Sequence, residues 1–294
     1  MQESERPKIG FIGQGFIGKN MADDFENRGY HVVRYALEEP YVHNKEAIAD
    51  CDIVFIAVPT PTTPGGFSDG ALRAVLPLVG AGKVAVIKST ILPGHTEVLQ
   101  REFPDIVVLH SPEFLREKQA VLDTQKPARN IVGISEDTPE YHAVAEQVLS
   151  VLPEAPYNKV CTAREAELIK YGGNCFLATK VVFMNMLYDL AEASGADYDT
   201  IVEAMTADPR VGTSHMNVVD SSGHAGAVPG RGAGGHCFPK DTAALREYAQ
   251  TTLGDDALAT KLLQTIERTN NTLLVDSGKD LDLLHDIYGD NLDK

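Results

Sequence analysis

Short apolar runs alternate with amphipathic stretches through the first half of the chain. Lys8 to Ile12 reads as a short buried strand, and His31 to Tyr35, Asp52 to Val58, Lys83 to Ile87, Ile106 to Leu109, Asn130 to Ile134 and Tyr157 to Cys161 as further strands. Between them, Lys19 to Asn27, Ser68 to Val79, His95 to Phe103 and Pro139 to Leu152 carry helical spacing. Strands separated by helices predict an α/β architecture with a doubly wound, parallel sheet. After Cys161 the pattern changes. Ala163 to Ser194 is one long helical run without proline, and Asp199 to Thr206 is a shorter helix with Asp199 as its cap. A Gly/Ser/His-rich loop, 208–236, leads to helices over Pro239 to Ala249 and Asp256 to Thr272, and the last twenty residues read as a polar, acidic tail. The expected division is a sheet domain over 1–162 and an all-α domain with a long central helix over 163–294.

Immediately after the first strand stands Gly13-Gln14-Gly15-Phe16-Ile17-Gly18, a G-x-G-x-x-G that opens a helix. That context makes the motif informative: the glycines allow a tight turn and let a pyrophosphate approach the helix N-terminus. The sheet domain is therefore expected to be a Rossmann domain that binds a dinucleotide. An acidic residue should close the second strand and bind the adenosine ribose. Ala36 occupies that place, and Glu38, two residues on, is the candidate substitute. Arg34 points the other way, towards a cofactor with a 2′-phosphate. NAD is the expected cofactor.

The sequence holds 43% hydrophobic and 23% charged residues, an ordinary globular balance, and a net charge of −16. Such a surface disfavours nucleic acid or an anionic membrane as partner. No run of apolar residues is long enough for a membrane span, and Met1 to Pro7 lacks the apolar core of a signal peptide. Cys51, Cys161, Cys175 and Cys237 show no C-x-x-C spacing, which fits reduced thiols in a cytoplasmic protein. The nine histidines include no pair with zinc spacing on a helix, so no metal is expected.

The remaining chemistry sits at strand ends and on two helices. Pro59-Thr60-Pro61-Thr62, Lys88-Ser89-Thr90 and Ser111 to Glu117 follow strands, at the edge where open α/β sheets bind ligands. Glu167, Lys170, Tyr171 and Asn174 share one face of the long helix. In Gly234-Gly235-His236-Cys237-Phe238-Pro239-Lys240-Asp241, a cysteine follows two glycines and precedes a proline suited to a first helical turn. A thiol at a helix N-terminus with a lysine three residues on is an activated nucleophile; a buried, inert cysteine in a glycine-rich loop is the plainer alternative.

Taken in order, the Gly13–Gly18 loop, VPTPT at 58–62, KST at 88–90, SPEFLRE at 111–117, the Glu167–Asn174 helix face, DPRVG at 208–212 and GGHCFPKD at 234–241 resemble the UDP-glucose/GDP-mannose dehydrogenase family. The resemblance implies oxidation of a nucleotide-sugar C6 alcohol to a carboxylate with two NAD per turnover. It implies that Cys237 captures the aldehyde, that Lys170 and Asn174 stabilise the developing oxyanion, and that Asp241 with Lys170 orients water and moves protons. Thr90 and Glu117 would lie near the nicotinamide and the catalytic water, Glu113 near the sugar, and Phe114, Leu115, Gly234 and Gly235 against the substrate. Gln14, Phe16, Ile17, Val58, Pro59, Thr60 and Lys240 would join the glycines around the cofactor. Arg210 resembles an arginine that reaches the substrate from a partner subunit, and the helix from Ala163 resembles the family's dimerisation element, so a homodimer is expected.

The chain departs from the family pattern in the displaced ribose acid and in a short segment before Asp52. Only 53 residues follow Asp241, too few for the family's second α/β domain. Pro229-Gly230-Arg231 is available for phosphates in its place. Two other readings compete. A two-electron hydroxyacid dehydrogenase would use the lysine and asparagine without a cysteine, and a silent NAD-binding scaffold would need neither.

Overall fold

The computed structural model describes residues 6–116 and 119–292. Its contacts divide the chain into one unit of residues 1–60 and 68–170 and another of 61–67 and 171–294.

The first unit is built on seven strands: β1 (Ile9–Ile12), β2 (Val32–Tyr35), β3 (Ile53–Ile56), β6 (Val84–Ile87), β7 (Val107–His110), β8 (Asn130–Ile134) and β9 (Asn158–Thr162). Their order is β2-β1-β3-β6-β7-β8-β9. β1, β3 and β6 are buried at every position, as continuous apolar runs covered on both faces should be. Helices α1 (Phe16–Asn27), α2 (Gly70–Val75), α3 (His95–Glu102), α4 (Ala120–Gln125) and α5 (Pro139–Val151) connect them. The core on one face centres on Phe11, Phe25 and Phe55, whose ring centroids lie 5.2–5.4 Å apart, with Val86, Leu109, Val132 and Val148 around them.

The sheet is mixed rather than wholly parallel. β8 runs antiparallel to β7, with Leu109 opposite Ile134, and parallel to β9. An antiparallel neighbour starts at the edge where the previous strand ended, so β8 begins at the C-terminal edge of β7.

The second unit comprises most of α6 (Ala163–Ser194), then α7 (Tyr198–Thr206), α8 (Phe238–Leu253), α9 (Leu258–Ser277) and α10 (Leu281–Tyr288). It is not purely helical. The antiparallel pairs β4 (Thr62–Thr63) with β5 (Gly66–Phe67), and β10 (Val219–Asp220) with β11 (Gly230–Arg231), belong to it. The β4–β5 hairpin packs on α8 and α10, which explains why residues 61–67 leave the sheet unit to which sequence assigns them.

Three further expectations change. The boundary falls after Lys170, not before Ala163, because the first turns of α6 are tied to the sheet unit through Glu167 and Arg164. Asp197 rather than Asp199 caps α7, accepting from the Thr200 amide at 2.9 Å. The tail forms α10, in which Leu284, Ile287 and Tyr288 are buried and the Tyr288 hydroxyl donates to Glu267. Leu281, Leu284 and Tyr288 carry the helical spacing that the acidic composition masks.

Glu167 is a structural latch. Its carboxylate accepts from the Gly94 and Thr96 amides and the Thr96 hydroxyl, closing the N-terminus of α3. Burial pushes its carboxyl up to about 7 from 4.5, against the pull of those donors. The folded protein therefore holds this proton more tightly than the unfolded chain between those values. Its contribution to stability is fully present below about pH 4.5 and is lost as pH rises through about 7. The melting temperature of the wild type minus that of Glu167→Gln should fall across this window, read by calorimetry at several pH values. A constant difference contradicts the assignment.

Candidate active site

The dinucleotide loop shows a distinct reason for each glycine. Gly13 has φ +90°, and a Cβ there would overlap the Ala57 carbonyl of β3's continuation. A Cβ on Gly18 would overlap the Gly13 carbonyl, so close helix–strand packing requires glycine. Gly15, the N-cap of α1, has nothing within 4 Å of its Cβ position, and no side chain caps the helix. That open approach to uncapped amides fits a pyrophosphate. The Gln14 side chain folds back on the Gly13 carbonyl at 3.1 Å, while Phe16 is exposed and Ile17 packs against the core.

Arg34 is not available for a 2′-phosphate. It is buried, with Nε 2.9 Å from Glu26 and an η-nitrogen 2.6 Å from Asp23. Glu38 is exposed beyond β2, with its carbonyl accepting from the Tyr41 and Val42 amides.

Three strand-end loops are pinned to one another in the same unit. The Ser89 hydroxyl donates to the Val58 carbonyl at 2.7 Å, and Thr60 Oγ1 donates to the Thr90 carbonyl at 2.7 Å. Pro59 stands exposed between them. Lys88, directly after β6, is buried; its Nζ lies 3.2 Å from Ser111 Oγ and 3.3 Å from Glu113 Oε2. Lys170 Nζ, also buried, donates to the Glu113 carbonyl at 2.6 Å. Glu113 is thus held by one lysine at its carboxylate and another at its backbone. His110 beneath them is wholly buried, and burial, then the charges of Lys88 and Lys170, push its pKa down to about 3, so it stays neutral. Phe114 lies under the Arg129 guanidinium at 3.9 Å, with Lys170 at 5.7 Å. Leu115 is half-buried beside it. Glu117 lies outside the described residues.

The second unit gathers the other candidates. Cys237 is exposed and forms the N-cap of α8, followed by Pro239 in the first turn. Cys51, Cys161 and Cys175 are a contrast: burial pushes their thiols up to about 11, 11 and 12, the condition of inert cysteines. Asp241, one turn into α8 and 1% exposed, accepts from Asn174 Nδ2 at 2.5 Å and from Lys240 Nζ at 2.6 Å. Burial works against the charge on Lys240, yet the Asp241 carboxylate, with a further contribution from Cys237, holds the ammonium above its ordinary value. Asn174, Asp241, Lys240 and Cys237 therefore form one polar cluster, and the helix spacing that places Asn174 one turn beyond Lys170 is the one read from sequence.

Several neighbouring residues have commitments of their own. Glu167 shares the Lys170 face in sequence but is spent on α3. Arg231 is committed to α6, with Nε 2.8 Å from Asn185 Oδ1 and an η-nitrogen 2.9 Å from Asp189, so it does not await a phosphate. Arg210 is highly exposed and its guanidinium folds onto Asp208. Gly234 and Gly235 are held from behind by Asp280, a residue that sequence reading passed over. Lys88, which supports the Glu113 carboxylate, is a further residue of this kind; a lysine directly after a wholly apolar strand is the signal that marks it.

The profile of the UDP-glucose/GDP-mannose dehydrogenase family, NAD binding domain, matches residues 40–151, and that of the same family's central domain matches residues 164–272. The chain belongs to this family. UDP-glucose 6-dehydrogenase of Rhizobium meliloti (strain 1021) is 34% identical over 241 residues, covering 77% of this chain and 52% of that protein. A UDP-glucose dehydrogenase structure from Pyrobaculum islandicum superposes with a TM-score of 0.77 at 28% identity, over 92% of this chain and 69% of that one. A Mycobacterium tuberculosis 3-hydroxyisobutyrate dehydrogenase superposes at 0.67 over 96% of this chain and 98% of that one, but at 18% identity, a likeness of fold alone. The chain spans about half the length of the curated relatives it matches. The chain carries this family's NAD binding domain, and the open Gly15 cradle is the feature of its own structure that fits the cofactor. Among the described residues no helix is long and apolar enough to cross a membrane.

Proposed function

We propose that this protein oxidises the C6 alcohol of a nucleotide sugar, UDP-glucose foremost, to the carboxylate in two successive two-electron steps. The observation that carries the reading is the polar cluster at the start of α8: an exposed cysteine at a helix N-terminus, over a buried aspartate held by Asn174 and Lys240. NAD, when bound, would supply the oxidant for each step, two per sugar. Gly13, Gln14, Gly15, Phe16, Ile17 and Gly18 would hold its pyrophosphate, with Glu38 towards the ribose and Val58, Pro59, Thr60 and Thr90 at the strand ends.

The alcohol loses its hydroxyl proton and a hydride from C6, for which NAD would be the acceptor, to give the aldehyde. The Cys237 thiolate then adds to the aldehyde carbon, forming a C–S bond and an oxyanion that Lys170 and Asn174 stabilise. Loss of a second hydride, from the carbon of that adduct, for which NAD would again be the acceptor, leaves a thioester. Water, oriented by Asp241, breaks the C–S bond and releases the carboxylate and the thiol. Thr90 and Glu117 serve the nicotinamide and water side, Glu113, Phe114, Leu115, Gly234 and Gly235 the sugar. An alcohol-only oxidation, as in the two-electron reading, needs no covalent anchor. The test is NADH formation from a panel containing UDP-glucose and GDP-mannose, with NAD and NADP compared. Turnover of UDP-glucose with NAD supports the reading; no NADH from any member contradicts it.

A homodimer through α6 is part of the same proposal. Val181 and Met184 are buried within the second unit and leave no apolar surface for a partner. Phe176, Phe183, Met186 and Leu190 are exposed by 49–68% and recur at heptad-like spacing along the helix. Phe183→Glu should convert the dimer to a monomer in light scattering. An unchanged mass would remove α6 from the interface, and with it the role of Arg210 towards a partner's substrate.

A further inference from the structure

The backbone leading into Cys237 has almost no secondary structure of its own beyond β11, yet its polar groups are partnered one after another by α9 and the residues that end it. The Arg231 amide donates to Ser277 Oγ at 3.0 Å. Asn270 bonds Ala233 reciprocally, accepting from its amide at 2.7 Å and donating to its carbonyl at 2.9 Å. Lys279 Nζ donates to the Gly232 carbonyl at 2.8 Å and the Gly230 carbonyl at 3.4 Å. The Gly235 amide donates to Asp280 Oδ2 at 2.7 Å.

Local sequence explains how two adjacent side chains reach this loop. α9 ends at Gly278, φ +66°, with the Lys279 amide bonded to the Leu274 carbonyl and the Gly278 amide to that of Val275. This is a Schellman closure, and it turns the chain back over the helix end. Asp280 follows at φ +53° before α10 begins. Both side chains are buried, at 4% and 5% exposure. A Cβ on Gly234 would overlap the Asp280 carboxylate, and Gly235 has φ +78°, so the two glycines are the residues that admit this contact.

We propose that Lys279 and Asp280 are positioning residues that clamp the 230–235 turn and so fix where Cys237 is presented. The proposal rests on the reading of Cys237 as the nucleophile. Asp280 is itself fixed: Ser222 Oγ donates to Oδ2, and His224 Nε2 lies 2.9 Å from Oδ1. The His224 ring packs on that of His236, the residue before Cys237, with centroids 5.3 Å apart. Serine, histidine and aspartate do not form a nucleophile relay here, because hydroxyl and imidazole both bind the carboxylate. Burial works against the Asp280 charge, but the Ser222, Gly235 and His224 contacts outweigh it and hold the carboxyl below its ordinary range. Three partners converging on an anion are what a neutral amide cannot reproduce, since its nitrogen would face a donor.

The test compares Asp280→Asn and Ser222→Ala with the wild type by hydrogen exchange of the peptide covering 230–237, and by kcat and the KM for NAD. The expected result for Asp280→Asn is about tenfold faster exchange in that peptide and a kcat about tenfold lower, with the KM for NAD unchanged. Ser222→Ala removes one donor and leaves the Gly235 contact, so its effect on exchange should be about twofold to threefold. Unchanged exchange at 230–237, or faster exchange with wild-type kcat, overturns the proposal. If circular dichroism shows Asp280→Asn unfolded, Ser222→Ala decides by the same two readouts. Exchange does not depend on turnover: if the wild type reduces NAD with no sugar, the catalytic reading fails while the clamp is still judged by exchange.

Discussion

Cys237→Ser should lower kcat for carboxylate formation from UDP-glucose by at least about 10³-fold, the scale on which removal of a covalent nucleophile acts. The first oxidation requires only loss of a proton and an acceptor for a hydride. The second requires a tetrahedral adduct on the aldehyde carbon, and a serine hydroxyl is a poor source of one at neutral pH. Cys237 is exposed at the start of α8, whereas Cys51, Cys161 and Cys175 have their thiols pushed up by burial and cannot substitute. Binding of NAD should be unchanged, because the Gly13–Gly18 loop belongs to the other unit. Mass spectrometry of the product and NAD titration by fluorescence read the two halves separately. Carboxylate formed at the wild-type rate would remove Cys237 from the mechanism.

Lys170→Met should lower kcat by about 10²–10³-fold, the loss expected when one donor to a developing oxyanion is removed. The substitution keeps most of the side-chain volume and deletes the charge. It also takes away the donor 2.6 Å from the Glu113 carbonyl, so the loop after β7 loses one of its two lysine supports while Lys88 remains on the carboxylate. The KM for NAD should change little. Steady-state kinetics read the split, and an effect confined to KM would assign Lys170 to ground-state binding instead.

The alternation of strands and helices was legible because most strands of the sheet, β1, β3 and β6 above all, are short apolar runs, and buried parallel strands leave that signature. Asn130 to Ile134 and Ala163 to Ser194 have the bounds expected from pattern alone. The direction of β8 was not legible, since an antiparallel strand in a covered sheet is as apolar as a parallel one. α10 was hidden because three apolar residues at helical spacing sit among aspartates. Side-chain commitments were the least visible. Nothing in the spacing of Glu167 distinguishes a residue facing a site from one capping a neighbouring helix, and Arg34 and Arg231 look available until their carboxylate and amide partners are placed in space. Local backbone geometry was the most visible: a Cβ at Gly13 or Gly18 would meet a carbonyl, Gly15 is open, and Cys237 stands at the helix start that Pro239 marks.

The resemblance assigned Asp241 a task with water, and the structure adds that it is held from two sides within its own unit. Asn174 and Lys240 together fix both carboxylate oxygens, which leaves little rotational freedom for a group meant to orient a water. The same economy appears at Glu113, held by Lys88 and Lys170. In both places an acidic residue is held by two nitrogen donors, at Asp241 on both carboxylate oxygens and at Glu113 on the carboxylate and the backbone carbonyl, an arrangement that fixes position without relying on loop stiffness.

The most direct measurement is the number of NADH formed per UDP-glucose consumed, with sugar limiting and NAD in excess. The account predicts two, with UDP-glucuronate as the product. One NADH per sugar, with an aldehyde accumulating at the same rate, would contradict covalent capture by Cys237 and make the protein a two-electron dehydrogenase.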